Sequence, residues 1–148
     1  MRLLIQRVSH AKVTIGSKTV GEIGGGLLIF LGVGEGDTDQ ICAEMAAKAS
    51  RLRIFEDEKE KMNFDVTSAA GSVLVVSQFT LYADTRKGNR PSFTGAAKPE
   101  VAKRLYEKFI REMKALIGEN KVAEGVFGAM MDVELINAGP VTIWVDSC

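Results

Sequence analysis

The chain has 148 residues, with 19 lysines and arginines against 19 aspartates and glutamates, so its formal net charge is zero. Neutrality argues against a general grip along nucleic acid, which is usually made by a basic surface that meets phosphates, and points any RNA contact to a local patch. A hydrophobic share of 46% with 26% charged residues is globular rather than disordered, and the length predicts one domain over 1–148.

In chain order, the N-terminal segment MRLLIQRVSHAKV turns polar after Ile5 and has no leader signature. Leu3-Leu4-Ile5 begins an extended run to Val8. Val13-Thr14-Ile15, Gly16-Ser17-Lys18 and Thr19-Val20 predict a hairpin around a glycine-containing turn. Gly24-Gly25-Gly26 breaks the chain before Leu27 to Leu31, a buried-strand candidate. That apolar run is far shorter than the roughly 20 residues of a membrane helix, so the expectation is a cytoplasmic protein with no membrane partner.

Asp37 and Gln40 have the spacing of a capping box, and Ile41, Met45, Ala49 and Leu52 follow at helical period. A helix is expected from about 38 to 52. Glu56 to Lys61 reads as a solvated charged loop. Ser72 to Tyr82 reads as one long strand, followed by a polar loop, Asp84 to Ala96, that holds Arg86, Lys87 and Arg90. Pro99 suits a first helical turn; Val101, Leu105, Phe109 and Met113, widened by Ala102, Tyr106, Ile110 and Leu116, form an apolar stripe up to Gly118. Met131 to Ile136 and Val141 to Val145 then predict two strands around a Gly139-Pro140 break. The sum is α+β: two main helices with a curved, mostly antiparallel β-sheet.

Cys42, Cys148 and the lone His10 have no metal-ligand spacing. They read as structural, and no metal or cofactor is expected.

Two segments carry a more specific signal, Ser77-Gln78-Phe79-Thr80-Leu81 and Asn137-Ala138-Gly139-Pro140-Val141-Thr142. Together they resemble the SQFTL and NxGPVT signatures of the D-aminoacyl-tRNA deacylase family. Gln6-Arg7-Val8, Leu52 to Asp57, Arg90-Pro91-Ser92-Phe93 and Gly125 to Ala129 also match that family's habits. The resemblance implies a barrel-like, single-domain fold and a homodimer. It implies an editing hydrolase that cleaves the ester of D-aminoacyl-tRNA, and of mischarged glycyl-tRNA, at the tRNA 3′ end. It further implies a cis Gly139-Pro140 bond reaching into the other subunit's pocket to exclude L side chains. Catalysis is then assisted by the substrate's 2′-hydroxyl. An accessory module that only binds aminoacyl-tRNA is the alternative.

Local chemistry assigns roles within that frame. Strand alternation would put Gln78 and Thr80 on one face, with Ser77 and Phe79 on the other. Backbone N–H groups near Phe79 and Thr80 would be freed by a strand end or bulge. A nucleophilic Thr80 needs an adjacent base, and none is evident. Ser77, Gln78, Phe79 and Thr80 are therefore expected to position the ester and its oxyanion. Gly139 and Pro140, with Asn137, are expected at the substrate, and Arg7 to brace the partner's Gly-Pro loop. Taken alone, a threonine in a strand or a Gly-Pro turn is ordinary. Arg86, Lys87 and Arg90 fit a solvated loop as well as a phosphate contact.

Overall fold

The computed structural model describes residues 1–147; Cys148, expected to be structural, lies outside the described residues. Strands β1 (Arg2–Ile15), β2 (Lys18–Ile23) and β3 (Gly26–Gly32) precede helix α1 (Asp39–Ser50). A short hairpin, β4 (Phe55–Glu56) and β5 (Met62–Phe64), leads to β6 (Ser72–Ser77), helix α2 (Pro99–Ile117), β7 (Val122–Glu124) and β8 (Asp132–Asp146). The charged run from Glu56 to Lys61, expected as a plain loop, is the turn of the β4–β5 hairpin.

The first hairpin forms where expected, with Gly16 at φ +58 in its turn. β2 and β3 then lie end to end along the same edge of β1. Ala11↔Ile23 continues into Val8↔Gly26 and Leu3↔Leu31 without a change of register. The triple glycine is thus a joint inside one long antiparallel partner of β1. Gly26 is also where β3 meets β6: at φ +154, a Cβ there would stand 1.8 Å from the Ser72 carbonyl oxygen. Backbone against backbone cannot give way cheaply. Gly26→Ala is expected to lower stability by about 3 kcal/mol or more, read as a lower urea midpoint with an unchanged m-value.

β8 occupies the other edge of β1. The sheet order is β2-β1-β3-β6-β7, with β8 also on β1. All pairings of β1 are antiparallel, whereas β3–β6 and β6–β7 are parallel. The sheet is therefore mixed, because α1 and α2 carry the chain back over one face between parallel neighbours. Its ends curl toward each other: a Cβ on Gly21 of β2 would lie 2.7 Å from the Glu124 carbonyl of β7. The result is the barrel-like α+β fold with two main helices.

Two clusters of buried residues sit on the two faces of this sheet. Under the helices, Leu3, Ile5, Ile29 and Val75 pack with Cys42, Leu105 and Phe109. Inside the curl, Val8, Ala11, Val13, Leu28, Leu74 and Val76 pack together. Each fully buried aliphatic side chain contributes roughly 1.5–3 kcal/mol.

α1 is capped by Thr38, whose Oγ1 accepts the Ile41 N–H at 3.2 Å. Asp37, expected as the cap, is used elsewhere: Oδ2 accepts the Gly34 N–H at 2.6 Å and Oδ1 takes the Met1 amino group at 2.5 Å. α2 begins at Pro99 and stops at Gly118 as expected, burying Leu105, Tyr106, Phe109, Ile110 and Met113. Val101 and Leu116, placed on its stripe from the sequence, are exposed.

Cys42 is fully buried, its Sγ 3.4 Å from the Leu105 carbonyl oxygen. Burial pushes its thiol from the ordinary 9.0 up to about 12, because desolvation disfavours the thiolate. The stability gained by keeping this thiol neutral is intact below pH 9 and fades as pH rises toward 12. At pH 8 the folded protein is expected to leave Cys42 unalkylated by iodoacetamide, and the urea-unfolded chain to label fully, read by peptide mass.

Candidate active site

β6 ends at Ser77, not at Tyr82. Gln78 makes the last rung, its N–H donating to Leu31 O at 2.7 Å, and Phe79–Tyr82 then form a 3-10 turn. Two glycines, Gly32 at the end of β3 and Gly34 just beyond it, make room for it. A Cβ on Gly32 would lie 3.0 Å from Gln78 O, and one on Gly34 2.4 Å from the Tyr82 hydroxyl. From outside, Arg2 donates to Leu81 O at 3.0 Å, and its guanidinium sits 4.4 Å from the Tyr82 ring centroid and 5.7 Å from that of Trp144. Burial pushes the Tyr82 phenol up to about 12.

Strand alternation was expected to bring Gln78 and Thr80 to one face; the turn does so instead. The Gln78 amide donates to Thr80 Oγ1 in a short hydrogen bond, which leaves the threonine O–H free to point elsewhere. Phe79 and Thr80 are the first residues of the turn, so their N–H groups have no intrahelical acceptor. This is the freeing of backbone donors that a strand end was expected to supply.

These residues floor a cavity of about 680 Å³. Ser77 to Thr80 line it, as do Ala97 before α2, Ala102 in its first turn, and Phe127 to Met131. Among the described residues its lining holds no carboxylate, imidazole, ammonium or guanidinium, and Tyr106 is its one titratable side chain. Burial raises that phenol's pKa, and its hydroxyl lies 2.9 Å from Val75 O and 3.1 Å from Gly125 O. Phe79, 57% exposed, stands at the mouth with its ring edge-on to Phe93 at 5.1 Å between centroids. Phe127 to Met131 carried no site role in the sequence analysis, although Gly125 to Ala129 match the family's habits. Met130 is 91% exposed, while Met131 is half-buried against the inner cluster and its sulfur accepts the Val126 N–H at 3.3 Å.

Arg7, Asn137, Gly139 and Pro140 are brought together, but not at this cavity. The two strands predicted around Gly139-Pro140 are one strand, β8, interrupted by a bulge. Gln6 pairs with Thr142 and Val8 with Asn137, so Ala138 to Val141 stand opposite Arg7 alone. Asn137 closes the bulge. Its Oδ1 accepts the Val141 N–H at 3.0 Å and its Nδ2 donates to Val141 O at 3.2 Å, as a facing strand would. Gly139, at φ +109, supplies the turn. Among the described residues no peptide bond is cis, so Gly139-Pro140 is trans, against expectation; a positive-φ glycine plus the asparagine bridge turns the chain without it. Arg7, expected to brace a partner's loop, is committed to its own chain. Nε donates to Ala138 O at 3.0 Å and Nη1 to Ile54 O at 2.7 Å, with Glu56 3.6 Å away. Gly139 and Pro140 are exposed at the tip.

A family model described as D-Tyr-tRNA(Tyr) deacylase matches residues 4–146. Proteins named D-aminoacyl-tRNA deacylase from Akkermansia muciniphila and Thermotoga petrophila are each 56% identical to this chain, covering 99% of it and 97% of their own length. One similar solved structure is described as c-Myc DNA Unwinding Element Binding Protein. It has TM-score 0.95 and 37% identity, over 100% of this chain and 99% of that one. Another, described as a probable eukaryotic D-amino acid tRNA deacylase, has TM-score 0.84 over 99% and 98% at 17% identity, a likeness of fold. Fold, cavity and relatives define a small α+β hydrolase. The chain belongs to the D-Tyr-tRNA(Tyr) deacylase family.

Proposed function

We propose that this chain hydrolyses the ester of D-aminoacyl-tRNA, and that of glycyl-tRNA, in a cavity completed by a second copy of itself. The observation that carries the reading is the polar floor of the cavity. Gln78, Thr80 and the start of the turn, where the Phe79 and Thr80 N–H groups have no intrahelical acceptor, line a largely apolar, uncharged cavity.

In this reading the Phe79 and Thr80 N–H groups receive the carbonyl oxygen of the ester as negative charge develops on it. One such donor is typically worth about 100- to 1000-fold in rate. Gln78 orients the Thr80 hydroxyl toward the substrate. Water adds to the carbonyl carbon, the bond to the ribose oxygen breaks, and the proton lost by water ends on that oxygen. With no carboxylate or imidazole lining the cavity, the substrate's own 2′-hydroxyl is the group placed to relay it. No metal or cofactor takes part in this scheme.

The Gly139-Pro140 loop points to solvent rather than into its own cavity, which supports delivery into a partner's cavity in a homodimer. Exposed Trp144 and its cross-strand neighbours Leu4 and Phe30 offer an apolar row for such a contact. Inserted there, the loop would occupy the space of an L side chain while leaving room for a D side chain or for glycine. A relative named for a DNA element does not alter this reading. Equal numbers of acidic and basic residues suit contact with one nucleic-acid end better than a grip along a duplex.

The test is hydrolysis of matched D-tyrosyl- and L-tyrosyl-tRNA by the purified protein without added metal. Rapid loss of only the D ester is expected. Loss of both would remove the chiral filter, and loss of neither would leave a binding module.

A further inference from the structure

We propose that the loop between β6 and α2 binds backbone phosphates of the RNA whose terminal ester enters the cavity, with Lys87 and Arg90 making the contacts. This rests on the hydrolase reading above.

The loop is a run of cations unrelieved by acids. Between Asp84 and Glu100 lie Arg86, Lys87, Arg90 and Lys98 and no acidic residue, in a chain of zero net charge. Elsewhere, among the described residues, seven of the fifteen lysines and arginines join ion pairs and eight do not, so what sets this loop apart is its run of cations beside the cavity. Within the loop only Arg86 is matched, by a two-pronged contact with Asp84 at 2.7 and 2.9 Å. Among the described residues Lys87, Arg90 and Lys98 join no ion pair, and all are exposed.

Its position is equally particular. Asp84 and Ser92 exchange backbone hydrogen bonds of 2.7 and 3.0 Å that close the loop at its base. Phe93, just past that closure, packs on Phe79 at the cavity mouth, and Ala96 and Ala97 line the cavity itself. A polymer whose end occupies the cavity therefore leaves it past this loop. The polymer of complementary charge at that exit is a phosphodiester chain, and unpaired cations beside an end-binding site set its register rather than its chemistry.

The experiment compares wild type with the Lys87→Ala, Arg90→Ala double variant on two substrates, D-tyrosyl-tRNA and D-tyrosyl-adenosine, which lacks the polynucleotide. For tRNA, KM at low salt is expected to rise roughly tenfold with kcat unchanged. The plot of log kcat/KM against log salt should become shallower by about 1.5, for two lost phosphate contacts. The adenosine ester should be cleaved equally by both proteins. Affinity for uncharged tRNA, measured in parallel by fluorescence anisotropy, should fall by the same factor. Equal slowing on both substrates would overturn the proposal in favour of loop packing through Phe93. An unchanged KM, salt slope and anisotropy would also overturn it. An inactive wild type would count against the hydrolase reading, while the anisotropy arm would still decide the loop.

Discussion

Exchanging Gly139 for valine is expected to collapse discrimination between D and L esters by about 100-fold or more, through misplacement of the loop by an ångström or so, and to lower stability. A Cβ at this position would stand 2.0 Å from Arg7 Nη2, at a backbone φ of +109 that side chains rarely adopt. Arg7 would have to release Ala138 O or Ile54 O. Hydrogen bonds from a charged donor are worth about 1.5–3 kcal/mol each, so a loss of roughly 2–4 kcal/mol is the expected range. The activity effect is expected in trans. In mixed dimers carrying the change on one chain, one of the two sites should lose its filter, read as half the L-ester hydrolysis rate of the doubly substituted dimer. If such dimers keep both sites selective, the cross-subunit placement fails.

Gly34→Ala should reach the chemistry from beneath. The added methyl would lie 2.4 Å from the Tyr82 hydroxyl and 2.6 Å from its ring carbon, so the phenol must swing out. Tyr82 ends the 3-10 turn whose first N–H groups belong to Phe79 and Thr80. Its displacement also separates the ring from Arg2, an attraction of about 0.5–1 kcal/mol. The expectation is a fall of about 10- to 100-fold in kcat/KM, mostly in kcat, with the melting temperature reduced only slightly. A variant that unfolds instead, or one with full activity, would show that Tyr82 does not set the geometry of the turn.

Much of this architecture was legible in the sequence, and the failures share a cause. Helix α2 was readable at both ends because Pro99 and Gly118 act locally and the stripe between them is long. The first hairpin was readable because Gly16 announces its own turn. The extent of β6 was not. Ser72 to Tyr82 is apolar enough throughout to be strand, and what ends the strand is space offered by Gly32 at the end of β3 and by Gly34 beyond it. The Thr38 cap was missed for a similar reason: Asp37 has the right chemistry but is drawn away by Gly34 and Met1. The tail looked like two strands because Gly139-Pro140 breaks the pattern, and only pairing with β1 shows it to be a bulge in one. Motif residues Ser77 to Thr80 were read as a group and do gather at the cavity. Placing Gly139 and Arg7 at a distance from it required the three-dimensional course of β8.

The bulge that carries Gly139 and Pro140 also settles which way the end of the chain faces. β1 and β8 serve both buried clusters. Leu3, Ile5, Ile143 and Val145 face the helices, whereas Val8, Ala11, Val13, Val133 and Leu135 face the interior of the curl. A regular two-stranded ribbon cannot do both, because its side chains keep one parity from end to end. The extra residues at Ala138 to Val141, with a smaller irregularity beside Ser9, change the parity midway. Removing a single residue there would present Trp144 and Asp146, and adding one would present Thr142 and Trp144, to the helices in place of Ile143 and Val145, unless the loop absorbed the slip. The length of this segment is therefore locked by the packing of the whole molecule, and variation in it is tolerated in steps of two.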